Sequence, residues 1–115
     1  MALIDWTAEL ARGVLSQAVL AALAHKERHG YELVSVMRRH GFPRVQGGTL
    51  YPLLRRLEQQ QLVTYAWDTS IAGPARKVFS LTEVGKAELH HARSAWDQMG
   101  QALLSLENAD RKVPK

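Results

Sequence analysis

The sequence predicts a mainly α-helical fold with one small β-hairpin, arranged as a winged helix-turn-helix followed by a long C-terminal helix. Three observations predict it. Leucines recur at helical spacing between Gly48 and Leu57. Two short segments of alternating residues then flank a turn at Gly73-Pro74. The last third of the chain carries apolar residues spaced alternately three and four apart, which is typical of a helix that packs on another helix.

Composition and charge narrow the functional classes. The 115 residues include no cysteine, so disulfides, thiolate metal ligands and cysteine nucleophiles are excluded. The N-terminal segment has neither a basic flank nor a long apolar run, so we expect no signal peptide, no membrane span and a cytoplasmic protein. Residues 26–67 hold seven basic and three acidic side chains, whereas residues 82–110 hold two basic and five acidic ones. One end of the molecule should therefore attract a polyanion.

Two helices are predicted before the leucine-rich segment. The first runs from about Asp5 to Glu27 and is capped by Asp5 or Thr7. The second begins near Gly30 and ends by Gly41, shortly before a proline. Their predicted buried residues are Leu15, Ala18, Val19, Ala22 and Leu23 in the first helix and Leu33, Val34 and Met37 in the second.

The third helix carries the side chains best suited to DNA. Its buried stripe consists of Leu50, Leu53, Leu54 and Leu57. The side chains that point elsewhere are those of Thr49, Tyr51, Arg55 and Arg56. Hydroxyl and guanidinium groups reach phosphates and base edges in a major groove, although an ordinary amphipathic surface helix with solvated arginines is the alternative. The helix starts near Gln46 or Gly47, or later, because Pro52 costs least in a first turn.

A β-hairpin follows the third helix. Leu62–Trp67 and Arg76–Leu81 are predicted as its strands, because bulky residues alternate with small or polar ones. The residues that share one face are Val63, Tyr65 and Trp67 on the first strand and Lys77, Phe79 and Leu81 on the second. A basic helix beside such a hairpin is the winged arrangement, so residues 1–81 are predicted as a winged helix-turn-helix DNA-binding domain.

The C-terminal helix is predicted to join two copies of the chain. Thr82 can cap it and it continues to about Asn108, which makes it roughly 40 Å long. Its apolar seam consists of Leu89, Ala92, Trp96, Met99, Leu103 and Leu106. A body of about 80 residues is too small to cover that length, which favours a partner helix over packing within one chain. Residues 82–108 are therefore predicted as a dimerisation helix and 109–115 as a flexible tail.

Five segments, in order and in spacing, resemble the PadR family of bacterial transcriptional regulators over nearly the whole chain. They are Arg12-Gly13, residues 29–33, residues 48–58, residues 73–77 and residues 81–85. The single short C-terminal helix is similar to that of the compact subfamily, which includes multidrug-binding repressors. The family pattern tolerates Pro52. Two positions depart from it, because Gln46 stands where a better cap is usual and Gln61 where a glycine usually ends the third helix.

The resemblance implies a homodimeric repressor that binds double-stranded DNA and is released by a small-molecule effector. By matching position, the implied DNA-binding residues are Tyr31, Thr49, Tyr51, Arg55, Arg76 and Lys77. Arg56 either faces DNA with them or pairs with Glu32 or Glu58. In the compact subfamily an aromatic residue at the position of Trp96 sandwiches flat ligands against its twofold mate. This implies a planar aromatic or cationic effector in a pocket formed by Gln17, Ala92, Trp96 and Met99. A tryptophan that only anchors the interface is the alternative.

Other function classes receive less support. The sequence contains no Gly-rich phosphate loop and no nucleophile elbow, and we expect no pair of carboxylates beside a histidine, which argues against an enzyme. A metal-responsive regulator is an alternative, because His25 and His29 are four residues apart, but that pairing requires the first helix to reach His29. His90 and His91 are adjacent and would point about 100° apart on a helix. We predict no metal and no cofactor.

A winged-helix protein-interaction module without DNA binding is the remaining alternative, and the basic helix and wing argue against it.

Overall fold

The computed structural model describes residues 3–70 and 72–111. In this range the chain forms four α-helices and a three-stranded antiparallel sheet, in the order of a winged helix-turn-helix with a long C-terminal helix. The elements are α1 (Trp6–Ala22), β1 (Arg28–His29), α2 (Gly30–Arg39), α3 (Gly47–Gln59), β2 (Val63–Asp68), β3 (Arg76–Leu81) and α4 (Glu83–Asn108). No helix in the described part combines the length and the apolar character needed to cross a bilayer. Of the predicted tail, residues 109–111 form a turn and 112–115 lie outside the described residues.

Helix α1 ends earlier than the sequence predicts. Its start is capped as expected, because the Asp5 carboxylate accepts a hydrogen bond from the Ala8 backbone N–H at 3.1 Å. The helix stops at Ala22 rather than near Glu27. The Arg28 Nε donates to the Ala22 carbonyl at 2.8 Å and so satisfies an acceptor that the helix end leaves open. The early end allows the following residues to lead the chain into a strand.

The sheet has a third strand that the sequence analysis did not predict. Strand β1 pairs with β3, and the strand order is β1-β3-β2. Arg28 lies opposite Phe79 and His29 lies opposite Val78. A strand of two residues has no alternating pattern to detect, so only its pairing in the folded sheet reveals it.

The predicted hairpin is confirmed, with β2 beginning and ending one residue later than predicted. Tyr65 lies opposite Phe79 and Trp67 opposite Lys77, so the residues predicted to share a face do share it. This face is buried at Val63 and Phe79, whereas its outer end is exposed at Trp67. The wing therefore has an apolar root and an accessible outer end on the same face.

Helix α3 begins at Gly47, so Pro52 lies inside it and not in its first turn. The backbone bond that Pro52 cannot donate would have gone to the Gly48 carbonyl, and Gly48 is not buried, so water can take that place. Gln46 provides no side-chain cap, although its carbonyl accepts the Leu50 N–H at 3.0 Å. All four leucines of the predicted stripe are at most 6 % exposed. The opposite face of α3 is consequently turned outward.

The core lies where α1, α2 and α3 meet the sheet, and the start of α4 completes it. Leu89 corrects the predicted seam, because it is 5 % exposed and packs in the core of its own chain. Every residue of α4 beyond Ala92 is exposed. The radius of gyration is 17.9 Å, against about 13 Å for a compact domain of this length. Helix α4 therefore projects from the body.

Helices α3 and α4 are linked at the Leu62 carbonyl. The Thr82 N–H donates to this oxygen at 3.1 Å, and the Thr82 hydroxyl donates to the neighbouring Gln61 carbonyl at 2.7 Å. The same hydroxyl accepts the Gly85 N–H at 2.9 Å, which confirms Thr82 as the cap of α4. A Cβ at Gly85 would collide with the Leu62 carbonyl oxygen. Close approach at Gly85 thus sets the direction in which α4 leaves α3.

The turn after α3 provides a test of backbone strain. Gln61 has a φ of 63°, a left-handed conformation that costs an L-residue roughly 1–2 kcal/mol. Gln61→Gly removes this cost but gives the unfolded chain more freedom, so we expect the free energy of unfolding to rise by about 0.5–1 kcal/mol in urea denaturation. Gln60→Gly is the matched control and should lower it, because Gln60 is right-handed helical. Equal losses in both variants would contradict this account.

Candidate nucleic-acid interface

Five of the six side chains predicted to contact DNA line one groove between α3 and the wing. The groove encloses about 320 Å³, and these residues are Tyr31, Tyr51, Arg55, Arg76 and Lys77. They come from α2, α3 and β3, so the fold brings together residues far apart in sequence. Thr49 is the sixth and does not line this groove. It is exposed near the start of α3, beside the turn that contains Arg44.

Two glycines make room for the Tyr51 ring. A Cβ at Gly30 would lie 2.5 Å from the Tyr51 hydroxyl oxygen and 2.6 Å from its Cε1. A Cβ at Gly47 would lie 3.2 Å from Cε2 on the other ring edge. The ring therefore fits between the first residues of α2 and α3, and its 44 % exposure leaves it accessible from the groove. Tyr51 was predicted from its place on the third helix, whereas the part that Gly30 and Gly47 play in positioning it depends on the fold.

Tyr31 is held between a histidine and an arginine. The His29 imidazole stacks on the Tyr31 ring with centroids 5.5 Å apart, and the Arg76 guanidinium carbon lies 5.3 Å from the same ring's centroid. The cation–π contact orients Arg76 at the wing without consuming its hydrogen-bond donors. Tyr31 and Arg76 thus form one side of the groove, opposite Arg55 on α3.

His29 is the most strongly connected polar residue of this region. Its Nδ1 lies 2.8 Å from Glu32 Oε1 and its Nε2 lies 3.0 Å from Asp68 Oδ2. The Glu32 carboxylate, and secondly Asp68, raise the pKa of His29 above its ordinary value, although partial burial opposes this. Hydrogen bonds from the Ser70 hydroxyl and N–H, with a smaller effect of His29, lower the pKa of Asp68 to about 2. The His29 backbone N–H is the largest cause that lowers the pKa of Glu32.

Lys77 lies among two aromatic rings and a carboxylate. Its Nζ is 4.0 Å from the Tyr65 ring centroid, 5.8 Å from that of Trp67 and 3.9 Å from Glu58 Oε2. Glu58 Oε2 is buried and accepts no hydrogen bond within residues 3–70 and 72–111. The ammonium group of Lys77 is therefore partly engaged before any ligand arrives. Tyr65 and Trp67 lie beside it on the exposed part of the wing, and the sequence analysis did not include them as site residues.

The arginines on the outer face of α3 make no ion pair within the described part of the chain. Glu32 accepts from His29, and the cation within 4.0 Å of the Glu58 carboxylate is Lys77. In the described residues, neither Glu32 nor Glu58, the two carboxylates that the sequence offered as partners for Arg56, forms an ion pair with it. Arg55 and Arg56 are exposed. The groove thus presents guanidinium groups and tyrosine hydroxyls, which is the donor set that binds phosphates and the acceptor atoms of bases.

The helical pairing of His25 with His29, on which the metal-responsive alternative depended, does not form. Helix α1 ends at Ala22, so the two histidines are not on one helix, and His29 belongs to β1. Within the described residues no cluster of three or more metal-ligating side chains is present. The His29 imidazole is occupied by two carboxylates instead.

A second groove runs between α1 and α4. It encloses about 730 Å³ and contains all four residues predicted for an effector: Gln17, Ala92, Trp96 and Met99. Phe42, from the turn between α2 and α3, also lines it. Large apolar residues are exposed on both helices that form this groove, and they are Trp6, Leu10, Trp96, Met99, Leu103, Leu104 and Leu106.

Comparisons with known proteins show which family this chain resembles in sequence and in fold. The transcriptional regulator PadR-like family matches residues 19–91. The chain is 35 % identical over 96 residues to the transcriptional regulator Rv3488 of Mycobacterium tuberculosis, covering 84 % of this chain and 88 % of that protein. Its structure is similar to that of a PadR family transcriptional regulator from Eggerthella lenta, with a TM-score of 0.81, 34 % identity and coverage of 89 % and 88 % of the two chains. It is also similar to Bacillus subtilis PadR in complex with operator DNA, with a TM-score of 0.62 and 28 % identity over 68 % of this chain and 45 % of that one.

The packing of Tyr51 on Gly30 generates a prediction. Gly30→Ala should lower the free energy of unfolding by about 1–3 kcal/mol in urea denaturation, because the added Cβ overlaps the Tyr51 ring. Gly48→Ala is the control, since its Cβ would meet nothing within 4 Å, and it should raise stability by up to about 1 kcal/mol. In a Tyr51→Ala background Gly30→Ala should no longer destabilise. The same loss in both backgrounds would place the clash elsewhere.

Proposed function

Since the chain belongs to the PadR-like family of transcriptional regulators, we propose that it is a homodimeric repressor that binds a specific DNA operator through the groove between α3 and the wing. The family consists of regulators and not of enzymes. In this proposal residues 1–81 form the DNA-binding unit, residues 82–108 form the dimerisation helix and residues 109–115 form the tail. Double-stranded DNA and a second copy of the chain are its partners.

The observation that carries the DNA-binding proposal is the convergence of five predicted contact residues in one groove on the basic part of the chain. Arg55 supplies a guanidinium from α3 and Arg76 supplies another from the wing, on opposite sides of the groove. A phosphate backbone that follows this groove would meet both cations, while α3 faces the base edges. The similarity to Bacillus subtilis PadR in complex with operator DNA supports operator binding as the activity of this chain.

The dimer proposal is supported by the exposed seam of α4. Four of the six predicted interface residues, Trp96, Met99, Leu103 and Leu106, are each more than half exposed in the single chain. Leaving this much apolar area in water is unfavourable by about 25 cal/mol per Å². A second α4 packed across a twofold axis would bury it, and the projecting part of α4 has the length for such packing. Leu89 is not part of this interface, because it lies in the core of its own chain.

We further propose that a flat apolar or cationic compound binds between the two Trp96 rings of the dimer and lowers operator affinity. The groove that holds Gln17, Ala92, Trp96 and Met99 supports this, since it is apolar and open to an aromatic ring. Aromatic faces attract both flat ring systems and cations. Linkage then requires that the same compound bind less tightly to the DNA complex than to the free protein.

Removing an arginine from each side of the groove tests the DNA-binding surface. Arg55→Ala should weaken binding to the duplex upstream of the chain's own gene by about 1–3 kcal/mol and relax specificity, if Arg55 contacts a base. Arg76→Ala should weaken all sequences alike and reduce the salt slope by about one. Lys77→Ala should have a smaller effect, because its ammonium is already engaged.

Gel shifts at several salt concentrations, with a scrambled duplex of equal length as reference, measure these effects. Arg93→Ala is the matched control, since it removes the same charge from an exposed site on α4. Specific binding that is indifferent to Arg55 and Arg76 would move the contact surface elsewhere. If neither the unmodified chain nor any variant binds DNA, the alternative of a winged-helix protein-interaction module without DNA binding is favoured.

A single charge on the seam tests the interface. Leu103→Asp should convert the dimer to monomer in sedimentation equilibrium, because an unpaired carboxylate in the interface is unfavourable by several kcal/mol. The protomer should stay folded by circular dichroism, since Leu103 is 53 % exposed in the single chain. Gln101→Asp introduces the same charge on another face of α4 and should leave the dimer intact. A dimer that survives Leu103→Asp disproves the α4 interface.

Isothermal titration calorimetry with planar cationic dyes tests the effector site. We expect one dye per two chains, because a site on the twofold axis is shared. Trp96→Ala should weaken binding about tenfold or more, given roughly 0.5–2 kcal/mol per aromatic contact. Trp67→Phe, on the wing, is the control and should bind dye normally. A stoichiometry of one per chain, or unchanged binding to Trp96→Ala, would make Trp96 a packing residue only.

A further inference from the structure

His29 joins two elements through both nitrogens of its ring. It is the last residue of β1, and its Nδ1 lies 2.8 Å from Glu32 Oε1 on α2. Its Nε2 lies 3.0 Å from Asp68 Oδ2, on the last residue of β2. The imidazole therefore bridges across β3 from the body of the domain to the outer part of the wing. The three side chains are 15 %, 33 % and 21 % exposed in the order His29, Glu32 and Asp68, so water competes only in part.

The geometry requires the protonated ring. A neutral imidazole has one N–H and one lone pair, so it can donate to only one carboxylate. The other nitrogen would then direct its lone pair at a carboxylate oxygen about 3 Å away, which is repulsive. Because the pKa values of Glu32 and Asp68 are lowered, both carboxyl groups are ionised near neutral pH, and only imidazolium then satisfies both contacts at once. Loss of one proton must therefore break or lengthen one of them.

The contact with Asp68 is the one that a neutral ring would release. His29 contacts Glu32 through two groups. Besides the contact from Nδ1, the His29 backbone N–H donates to Glu32 Oε1 at 2.7 Å. Asp68 has other donors, since its Oδ1 accepts from the Ser70 N–H at 2.9 Å and from the Ser70 hydroxyl at 2.6 Å. A neutral ring that keeps Nδ1–H on Glu32 leaves Asp68 with the wing loop alone. The wing then loses its link to α2 at this point.

The remaining charged groups around the imidazole do not reverse this effect. Lys26 and Glu27 line the same outer cleft and carry opposite charges. Arg28 precedes His29, but its guanidinium turns to the Ala22 carbonyl. The Tyr31 ring stacks on the imidazole, and Arg76 contacts that ring in turn. Two carboxylates in direct contact thus outweigh the more distant cations.

The stack gives His29 a route to the DNA-binding groove. Tyr31 and Arg76 both line that groove. The Tyr31 ring stacks on the His29 imidazole, and the Nε2 of the same imidazole contacts Asp68. Asp68 lies opposite Arg76 in the β2–β3 register. A shift of Asp68 is therefore transmitted to the strand that carries Arg76.

We propose that protonated His29 is a positioning residue that holds the wing against α2 and sets Tyr31 and Arg76 for DNA, so that operator binding weakens when the imidazole loses its proton. The inference rests on the proposed DNA-binding function. The sign follows from the direction of the pKa change. Because the pKa of His29 is raised, the stabilising contact is fully present below the ordinary value near 6.5 and is lost as the pH rises through the raised value.

The first experiment needs no DNA. In NMR spectra of the full chain, the His29 ring signals and the backbone amides of Asp68 and Ser70 should shift together as the pH rises from about 6 to about 9. Asp68→Asn is the decisive variant, because the introduced amide can donate to a neutral Nε2 and keep the contact. In it the amide of Ser70 should no longer follow the titration of His29. If the backbone amide signal of Ser70 does not follow the titration of the His29 ring in the unmodified chain, the inference is overturned.

The second experiment measures operator affinity at fixed salt over the same pH range. We expect the unmodified chain to lose about fivefold to tenfold in affinity, because DNA binding that needs the imidazolium is linked to the protonation of His29. His29→Gln and Asp68→Asn should each lose less than about twofold over that range. His90→Gln removes a histidine of α4, far from the wing, and should behave like the unmodified chain.

The two failures are distinguishable. A chain that binds no duplex at pH 6 disproves the proposed function, and the NMR titration still decides whether His29 fixes the wing. A chain that binds its operator with the same pH dependence before and after His29→Gln overturns the positioning role. If His29→Gln does not fold by circular dichroism, the comparison with Asp68→Asn decides alone, and an unchanged pH dependence in that variant also overturns it.

Discussion

Burial of one face of α3 is the constraint on which the rest of the structure depends. The four leucines Leu50, Leu53, Leu54 and Leu57 are nearly inaccessible, and each such side chain contributes roughly 1.5–3 kcal/mol on burial. Rotating α3 by one residue would expose this stripe, so the rotation of the helix is fixed. Burial of this stripe therefore turns the opposite face, with Tyr51 and Arg55, outward. The residues of the core and those of the proposed interface are two sides of one helical pattern.

The parts of the fold that the sequence predicted are those in which one pattern is long enough to dominate. The stripe of α3, the hairpin strands and the cap at Thr82 were all predicted, since each has a local chemical cause. Strand β1 was not, because two residues carry no period and form a strand only beside β3. Leu89 continues the spacing of the seam, yet it faces its own core, because spacing alone does not reveal where α4 leaves the body.

In the candidate site, too, some residues were predicted from the sequence, whereas their contacts depend on the fold. The groove residues were identified by type and by resemblance, and the fold brings five of them together. Partners distant along the chain could not be predicted. Asp68 lies 39 residues from His29, so nothing in the local pattern links them. Lys77 was predicted only as a DNA contact, but its contact with Tyr65 and its proximity to Glu58 depend on the packing of the wing on α3. Pairings across a sheet follow from register, which a single sequence specifies only indirectly.

The link at Leu62 decides how the proposed dimer helix and the proposed DNA surface can influence each other. Thr82 binds the turn after α3 through the Leu62 carbonyl, and Gly85 packs directly against that oxygen. Close packing at this point restrains the tilt of the first turn of α4 relative to the turn after α3. A compound between two α4 helices would therefore act by changing the angle between whole protomers. The spacing of the two α3 helices would change while each groove kept its shape, and because successive major grooves lie about 34 Å apart, such a change alone would weaken binding.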